Sequence, residues 1–266
     1  MNNLKIKSLL LAIPFILGFA VFYIIPYGAV FYYAFSNQTV PISFAGFDNF
    51  VKVWGNEYFR LAITNTAIFT FISIPILIVV SYLLANMLNK QNNRIFRFLL
   101  FIPVLVPSAS IAGLWANLFH TDSVLPIYLL FIWKNIGLVC LIITGGLTKI
   151  SPEVYDATAI DGANTFQKHK SIILPLLSPV LFFCFLIGLI QSFKIFREIY
   201  LIYAAYPPEK LYMIQHFIFN KFNKLDYAEL SSGTLIFTMA ILIFLAGSLI
   251  IGYKLFLNKG NIFRGK

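Results

Sequence analysis

Side chains that could carry chemistry are concentrated in two segments of this chain. The first, residues 149–179, reads KISPEVYDATAIDGANTFQKHKSIILPLLSP. The second is a polar stripe in an otherwise apolar stretch, with Gln191, Lys194 and Glu198 at i, i+3 and i+7 and Arg197 beside them. Neither contains a cluster such as H-E-x-x-H or paired intramembrane carboxylates, so both predict binding rather than catalysis.

Helix-capping rules predict the local structure of the first segment. Ser151 suits the N-cap, and Pro152 suits the first helical position, where its missing N–H costs nothing. Asp156 complements the positive end of the helix dipole. A short helix should therefore run from Pro152 to about residue 160 and end at Gly162, which turns left-handed without steric cost. A second helix then carries Phe166, Lys168, His169 and Lys170.

One face of the first helix is a candidate contact surface. Tyr155, Ala159 and Gly162 recur at i, i+4 and i+7 and share a narrow face whose small residues let a partner approach closely. The helix pair has no apolar core of its own, which favours a docking element. An ordinary surface loop is the alternative, because Asp-Gly is common in turns.

The polar stripe also has two interpretations. Facing lipid is expensive for these side chains, and Lys194 and Glu198 are at pairing distance on a helix. The stripe could lie at the outer boundary of the membrane and extend into the headgroups. Alternatively, it lines the path of a hydroxyl-rich solute, for which nearby residues offer ring faces: Phe193, Phe196 and Tyr200.

Composition predicts the elements that position these segments. The chain is 59% hydrophobic and 11% charged, with a mean hydropathy of +0.83, whereas a soluble domain carries about 25% charged residues. Apolar runs of about 20 residues predict membrane-spanning helices, and they lack the alternation of barrel strands. We therefore predict an all-α integral membrane protein, a single domain over 1–266 with a loop at 149–171 and six spans at about 8–35, 61–89, 98–119, 123–148, 171–204 and 230–257.

The distribution of lysine and arginine predicts how these helices are oriented in the membrane. Of the 20 basic residues, twelve fall in segments that are cytoplasmic if the N-terminus is inside, five fall in outer loops and three lie in or beside spans. Basic loops stay inside during insertion, so both termini are predicted to be cytoplasmic. The net charge of +10 is then a topology signal, and no nucleic-acid partner is predicted because no basic stretch is interleaved with stacking aromatics.

Two outer connections carry further patterns. The connection 36–60 contains Gly46 and Asp48-Asn49, which predict a turn. The connection 205–232 contains an aromatic-rich stretch, Leu211–Phe222, whose helical spacing predicts an amphipathic helix along the outer membrane interface. Cys140 and Cys184 lie inside predicted spans without ligand companions, so no metal site or cofactor is predicted.

The segment at residues 156–163, DATAIDGA, followed by IILP at residues 172–175, resembles the "EAA" motif of ABC importer permeases. Asp156 stands for the Glu, Ala157 matches, Thr158 replaces the second Ala, and Gly162 has the expected spacing. The resemblance implies that this loop couples the chain to an ATPase through Tyr155, Asp156, Ala157, Ala159, Asp161 and Gly162.

Further segments resemble the carbohydrate-type permeases that are encoded first of a pair, including those for glycerol-3-phosphate, lactose and multiple sugars. The matching segments are FAGFDNF (44–50), NTAIFT (65–70), IPVLVP (102–107), LW (114–115), WKNIG (133–137) and SFKIFREIY (192–200). The chain departs from that family in a shortened loop after Leu118 and in Tyr203–Pro207, which stands where the family has T-G-G-G-P.

The resemblance implies a type I ABC importer permease fold and a bacterial cytoplasmic (inner) membrane location. The chain would translocate a sugar or oligosaccharide, with a glycerol-3-phosphate, polyamine or other small polar solute as the alternative. Its implied partners are a second permease in a heterodimer, two ATPase subunits, an external solute-binding protein and membrane lipid. Since G-x-x-x-x-G-K-[ST] is absent, ATP hydrolysis would come from the partners. The predicted solute path is Gln191, Lys194, Arg197, Glu198 and Tyr200.

Overall fold

The structure is a computed structural model that describes residues 2–37, 43–91, 94–118 and 123–264. Helices fill most of this part of the chain, and its extended pairing is a single β-bridge between Ser36 and Phe44. The helices in the first half are α1 (Asn2–Phe19), α2 (Ile25–Ala34), α3 (Asp48–Gly55), α4 (Glu57–Gln91), α5 (Arg94–Leu105) and α6 (Ser108–Leu118). Those in the second half are α7 (Leu125–Leu147), α8 (Pro152–Ile160), α9 (Thr165–Lys168), α10 (Leu174–Lys194), α11 (Phe196–Tyr203), α12 (Ile214–Asn223) and α13 (Tyr227–Arg264).

Shorter turns join several of these helices. A π-helical turn at Ala20–Ile24 connects α1 with α2, and another at His169–Ile173 connects α9 with α10. A 3-10 turn at Glu209–Leu211 precedes α12. The helix that begins at α9 therefore continues through the second π-helical turn into α10 and α11.

Within the described residues, five helical stretches are long and apolar enough to cross a membrane, namely Leu11–Ala34, Glu57–Asn89, Leu125–Leu147, Thr165–Tyr203 and Tyr227–Ile250. The predicted all-α membrane class is confirmed. The predicted third span is divided into α5 and α6, which are bent by 100° at the break. Pro107 explains the break, because it disfavours helical geometry at Val106 and has no N–H to continue the ladder. The six predicted spans are obtained when this bent pair is counted as one.

The helices form two compact units, one comprising the chain up to Ile63 together with that from Phe217, the other Thr64–His216. In the first unit α13 packs on α2 and α3. The Phe59 and Phe217 rings meet edge to face at 5.2 Å beside Gly233. The hydroxyl of Ser232 on α13 donates to the carbonyl of Ala34 at 3.3 Å. The single-domain assignment stays a prediction.

The second unit is built around α7, which packs against α5 and α10. Its buried core includes Phe69, Phe131, Ile143 and Leu177, and the thiols of Cys140 and Cys184 are also buried. Gly137 lets the backbone of α5 approach α7 closely, because a Cβ at this position would overlap the carbonyl of Leu100. This contact explains the glycine of the WKNIG segment.

Candidate functional site

The connection between α7 and α10 folds as the capping rules predict. α8 begins at Pro152 and ends at Ile160. Gly162 has φ +69°, the left-handed conformation that terminates the helix. Asn164 then starts α9 with a capping box: its side chain accepts from the Gln167 N–H at 2.8 Å, and its own N–H donates to the Gln167 side chain at 3.0 Å. The N-x-x-Q spacing could have predicted this cap.

One side of α8 packs on the chain's own helices. Tyr155 is half-buried against the core, and the Lys168 ammonium lies 4.7 Å from its ring centroid. This burial raises the pKa of the Tyr155 hydroxyl. Thr158 is buried, and its hydroxyl donates to the Tyr155 carbonyl at 2.7 Å. Tyr155 therefore does not face outward with Gly162 as its spacing had suggested, and the side chain of Ala159 lies outside the described residues.

The other side of α8 faces outward. Asp156, Ala157, Asp161 and Gly162 are exposed. Ile160 is 86% exposed, and Phe166 on α9 is 71% exposed. A contiguous exposed apolar patch marks an interaction surface, whereas single exposed apolar residues are common. We name the outward-facing residues of this helix pair the docking surface: Asp156, Ala157, Ile160, Asp161 and Phe166.

Sequence reasoning missed Ile160 and Phe166 as members of the docking surface. Their signal was available, since both are apolar residues in a loop with no core of its own. Burial of such a side chain contributes about 1.5–3 kcal/mol. The exposed acidic groups Asp156 and Asp161 add charge that a basic partner could match.

The helix pair is tied to α4 by a polar contact. The Tyr82 hydroxyl on α4 lies 2.5 Å from Nδ1 of His169, and the two rings meet edge to face. His169 begins the π-helical turn between α9 and α10. The docking surface is therefore connected to α4 through this hydrogen bond and to α10 through the chain itself.

The residues of the predicted polar stripe differ in exposure. A single turn residue with helical φ −60° and ψ −23°, Ile195, separates the end of α10 at Lys194 from the start of α11 at Phe196. Lys194 and Arg197 are exposed, whereas Glu198 is buried. The two remaining residues of the predicted path, Gln191 and Tyr200, are half-buried.

Glu198 has a different partner from the one that the sequence suggested. Its carboxylate forms an ion pair with Lys134 of α7, rather than with Lys194 one helical turn away. The Lys134 ammonium also donates to the hydroxyl of Ser108, the first residue of α6, at 2.8 Å. Sequence reasoning treated Lys134 as a tolerated charge within a span, although an ionisable residue at that depth usually has a function and a partner.

This ion pair joins three elements at the bend. Lys134 lies on α7, Glu198 on α11 and Ser108 at the start of α6, and α6 also packs on α11. The rings of Trp115 on α6 and Trp133 on α7 lie 6.1 Å apart. The arrangement offers hydrogen-bonding groups and ring faces, which suit recognition of a polar solute.

A cavity of about 270 Å³ lies elsewhere in this unit. Its lining is apolar, with Leu88, Phe101, Cys140 and Thr144 among the lining residues. The residues of the predicted solute path do not line it. This cavity therefore does not support the predicted path.

The NTAIFT segment of α4 forms hydrogen bonds with neighbouring elements. The Asn65 amide donates to the carbonyls of Glu209 and Tyr212 at 2.6 and 3.1 Å. The Thr66 hydroxyl accepts the N–H of Ile214 at 2.9 Å, and the Thr70 hydroxyl lies 3.1 Å from that of Ser192. This segment therefore holds the start of α12 and the end of α10 in place.

Most of the stretch predicted to be helical, Leu211–Phe222, forms α12 (Ile214–Asn223), and much of this helix is covered by protein. Ile214 and His216 are fully buried, and the His216 ring meets that of Phe196 at 4.6 Å. Burial lowers the pKa of His216 to about 4, because the charged imidazolium loses its hydration. The helical spacing was interpreted correctly, and the side that carries Ile214 and His216 is covered by protein. The position of α12 along the membrane interface stays a prediction.

Comparison with known proteins agrees with this architecture. Residues 63–256 match the family described as the binding-protein-dependent transport system inner membrane component. The chain is 31% identical to the arabinooligosaccharides transport system permease protein AraP of Bacillus subtilis, over 92% of this chain and 87% of the relative. It is 26% identical to the trehalose/maltose transport system permease protein MalF of Thermococcus litoralis, over 88% and 90% of the two chains.

A solved structure has the same fold. The chain superimposes on a bacterial ABC transporter involved in the import of the acidic polysaccharide alginate, with a TM-score of 0.77 and 21% identity, over 95% of this chain and 98% of that chain. The predicted type I ABC importer permease fold is therefore confirmed. Since the family match covers more than half of the sequence, this chain belongs to the family of binding-protein-dependent transport system inner membrane components, as a multi-pass permease subunit of the inner membrane.

Proposed function

We propose that this chain translocates a sugar or oligosaccharide as one membrane subunit of an ATP-driven importer. The relatives named for arabinooligosaccharides and for trehalose/maltose support a carbohydrate substrate. The exposed docking surface is the structural observation that carries the proposal, because a permease without an ATP-binding loop needs a contact through which a partner drives it. A non-sugar solute such as glycerol-3-phosphate or a polyamine is the alternative.

The coupling step follows from the connections of the docking surface. Ile160 and Phe166 bind an apolar depression on one of two ATPase subunits, while Asp156 and Asp161 meet basic groups there. Closure of the ATPases moves α8 and α9. The contact between Tyr82 and His169 conveys this motion to α4, and the continuous chain conveys it to α10. The membrane helices then change which side of the bilayer the solute path faces.

The solute path passes the end of α10 and α11. Gln191, Lys194, Arg197 and Tyr200 contribute hydrogen-bonding groups or a ring face. Glu198 acts through Lys134, whose side chain is partly accessible while that of Glu198 is buried. Hydroxyl-rich solutes suit such a lining, because each hydroxyl both donates and accepts hydrogen bonds.

The remaining partners and the orientation complete the proposal. The bias of basic residues supports cytoplasmic termini, and with that orientation the docking surface is on the side where ATP is available. A second permease subunit forms a heterodimer with this chain, and an external solute-binding protein delivers the sugar. The sequence family, which is named for binding-protein-dependent transport, supports the latter partner.

Site-directed cross-linking tests the proposal. Ile160→Cys should form cross-links to an ATPase subunit in the assembled importer, since this side chain is 86% exposed. Asn223→Cys is the matched control, because it is exposed on the helix α12 and is predicted to face outside. Uptake of labelled arabinooligosaccharide, maltose and glycerol-3-phosphate by vesicles then identifies the solute class. Cross-linking only at Asn223 would contradict the coupling role, whereas uptake of glycerol-3-phosphate alone would favour the alternative solute.

A further inference from the structure

The helix α3 carries an exposed apolar stripe outside the membrane-crossing stretches. Phe47, at its N-cap, is 70% exposed, Val51 is 72% exposed and Trp54 is 57% exposed. These residues recur at i, i+4 and i+7, so they share one face of the helix. Eight residues are too few to cross a bilayer, which takes about 20.

The opposite face of α3 is fixed to the first unit. Val53 is fully buried. The Asn49 side-chain amide donates to the carbonyls of Ala34 and Ser36 at 3.0 and 2.9 Å. These bonds satisfy carbonyl groups at the end of α2 that have no partner within the helix. The orientation of the apolar stripe is therefore set by polar contacts on its reverse side.

Ion pairs fix the C-terminal half of α3 to the start of α13. The Lys52 ammonium lies 2.9 Å from a carboxylate oxygen of Glu229, and the Asn56 amide donates to the other oxygen at 3.3 Å. Lys221 also pairs with this carboxylate. Glu229 is itself buried in the first turn of α13.

These contacts place α3 at the level where three membrane-crossing stretches end. One stretch ends at Ala34, another begins at Glu57 and a third begins at Tyr227. α3 is bonded to the first and the third and leads directly into the second. The exposed apolar surface of α2, which includes Phe31 and Tyr32, therefore ends beside α3.

We propose that α3 lies in the membrane–water interface and that its stripe of Phe47, Val51 and Trp54 is embedded at the boundary between lipid headgroups and acyl chains. Tryptophan is enriched at this depth because its ring is amphipathic. Lipid is favoured over a protein partner because the stripe lies beside the exposed apolar surface of α2, with the Phe47 ring 5.6 Å from that of Phe35. Lys52, whose ammonium pairs with Glu229, lies beside the stripe and is 67% exposed, as a polar residue next to an interfacial apolar face would be. α3 thereby fixes the depth at which these three stretches leave the membrane.

Spin labels distinguish the possible surroundings of the stripe. Phe47→Cys and Val51→Cys are prepared in the full chain, assembled with cysteine-free partner subunits and reconstituted in phospholipid vesicles. Cys140 and Cys184 are buried, so they do not compete for the nitroxide reagent. Lys52→Cys is the matched control. Collision rates are measured with oxygen, which partitions into lipid, and with a water-soluble nickel chelate.

We expect the labels at Phe47 and Val51 to collide more with oxygen than with the nickel chelate, and the label at Lys52 to show the lower ratio of oxygen to nickel collisions. Low collision rates with both reagents at Phe47 and Val51 would mean that a protein covers the stripe. High nickel collision rates at both positions would mean that it faces water. Either of these results would overturn the proposal. Phe47 and Val51 are exposed, so their substitutions do not disturb the core. Lys52→Cys removes one ion pair with Glu229, which Lys221 and Asn56 still contact, so the thermal unfolding of each labelled variant is measured as well.

Discussion

Lys134 on α7 and Glu198 on α11 form an ion pair within the membrane-crossing part of the second unit. The carboxylate side chain is 2% exposed and the lysine side chain 21%. Ser108 at the start of α6 shares the ammonium. The charges of two side chains that are distant in sequence thus neutralise each other beside the bend between α5 and α6.

Removing one member of this pair should be worse than removing both. Lys134→Met leaves Glu198 buried without its counter-charge, which costs about 3–5 kcal/mol for a buried pair. The double variant Lys134→Met/Glu198→Gln should recover much of the lost stability, as measured by thermal unfolding of the purified importer. Lys194→Met is the control and should leave stability unchanged because Lys194 is exposed. Equal losses in the single and double variants would contradict a coupled pair.

Gly137→Ala should destabilise the contact between α5 and α7. A Cβ there would overlap the Leu100 carbonyl, a backbone atom that cannot rotate away. We expect a loss of about 1–3 kcal/mol, as for an overpacked core. Gly145→Ala on the same helix is the matched control, since a Cβ at that position meets nothing within 4 Å. Thermal unfolding should therefore give a lower midpoint temperature for Gly137→Ala than for Gly145→Ala. Similar midpoint temperatures would show that α5 can shift to make room for the added methyl group.

Gly162→Val should impair coupling between ATP hydrolysis and uptake. The left-handed backbone at φ +69° costs a non-glycine residue about 1–2 kcal/mol, so α8 and α9 would be misplaced. Gly162→Asn should retain more activity, because asparagine tolerates this conformation better. Solute uptake and solute-stimulated ATPase activity are measured in the same vesicles. Normal uptake by the valine variant would contradict the proposal that this turn is needed for coupling.

Tyr82→Phe should weaken coupling without preventing assembly. It removes only the hydroxyl that lies 2.5 Å from His169, and loss of such a bond typically costs about 0.5–1.5 kcal/mol. We expect lower uptake for each ATP hydrolysed, with unchanged binding of the ATPase subunits. Tyr128→Phe is a control in the same unit but away from the helix pair. Unchanged coupling in Tyr82→Phe would contradict a role for this hydrogen bond. The continuous chain into α10 would then be the connection between the docking surface and the spans.

Accessibility labelling tests the predicted orientation of the chain in the membrane. A membrane-impermeant maleimide should label Asn223→Cys in intact cells and should label Ile160→Cys only after the membrane is opened. Both side chains are exposed, so a lack of reaction reports the side of the membrane rather than burial. Labelling of Ile160→Cys in intact cells would place the docking surface outside, where it could not reach an ATPase.

Local capping rules were sufficient to predict where α8 begins and ends. Pro152 and Gly162 determine its ends through backbone geometry that depends on few neighbours, and the observed helix follows them. The direction in which Tyr155 points was not predictable in the same way. The repeat of a helix shows which residues share a face, but packing against other elements decides whether that face is covered.

Long-range pairing was the harder part of the site. Sequence spacing offered Lys194 as the partner of Glu198, whereas the structure uses Lys134, 64 residues earlier. Similarly, the pattern at 211–222 predicted a helix much of which is covered by protein, while the short helix α3 in the connection 36–60 carries the exposed stripe. Amphipathic spacing specifies that one face is apolar, and only the tertiary fold specifies what covers it.

The ion pair between Lys134 and Glu198 also has a consequence for biogenesis. Because Glu198 is synthesised 64 residues after Lys134, α7 enters the bilayer before its counter-charge exists. A lysine at the centre of an inserting helix costs about 2.5–3.5 kcal/mol during insertion. The ion pair that neutralises this lysine can therefore form only after α11 has left the ribosome.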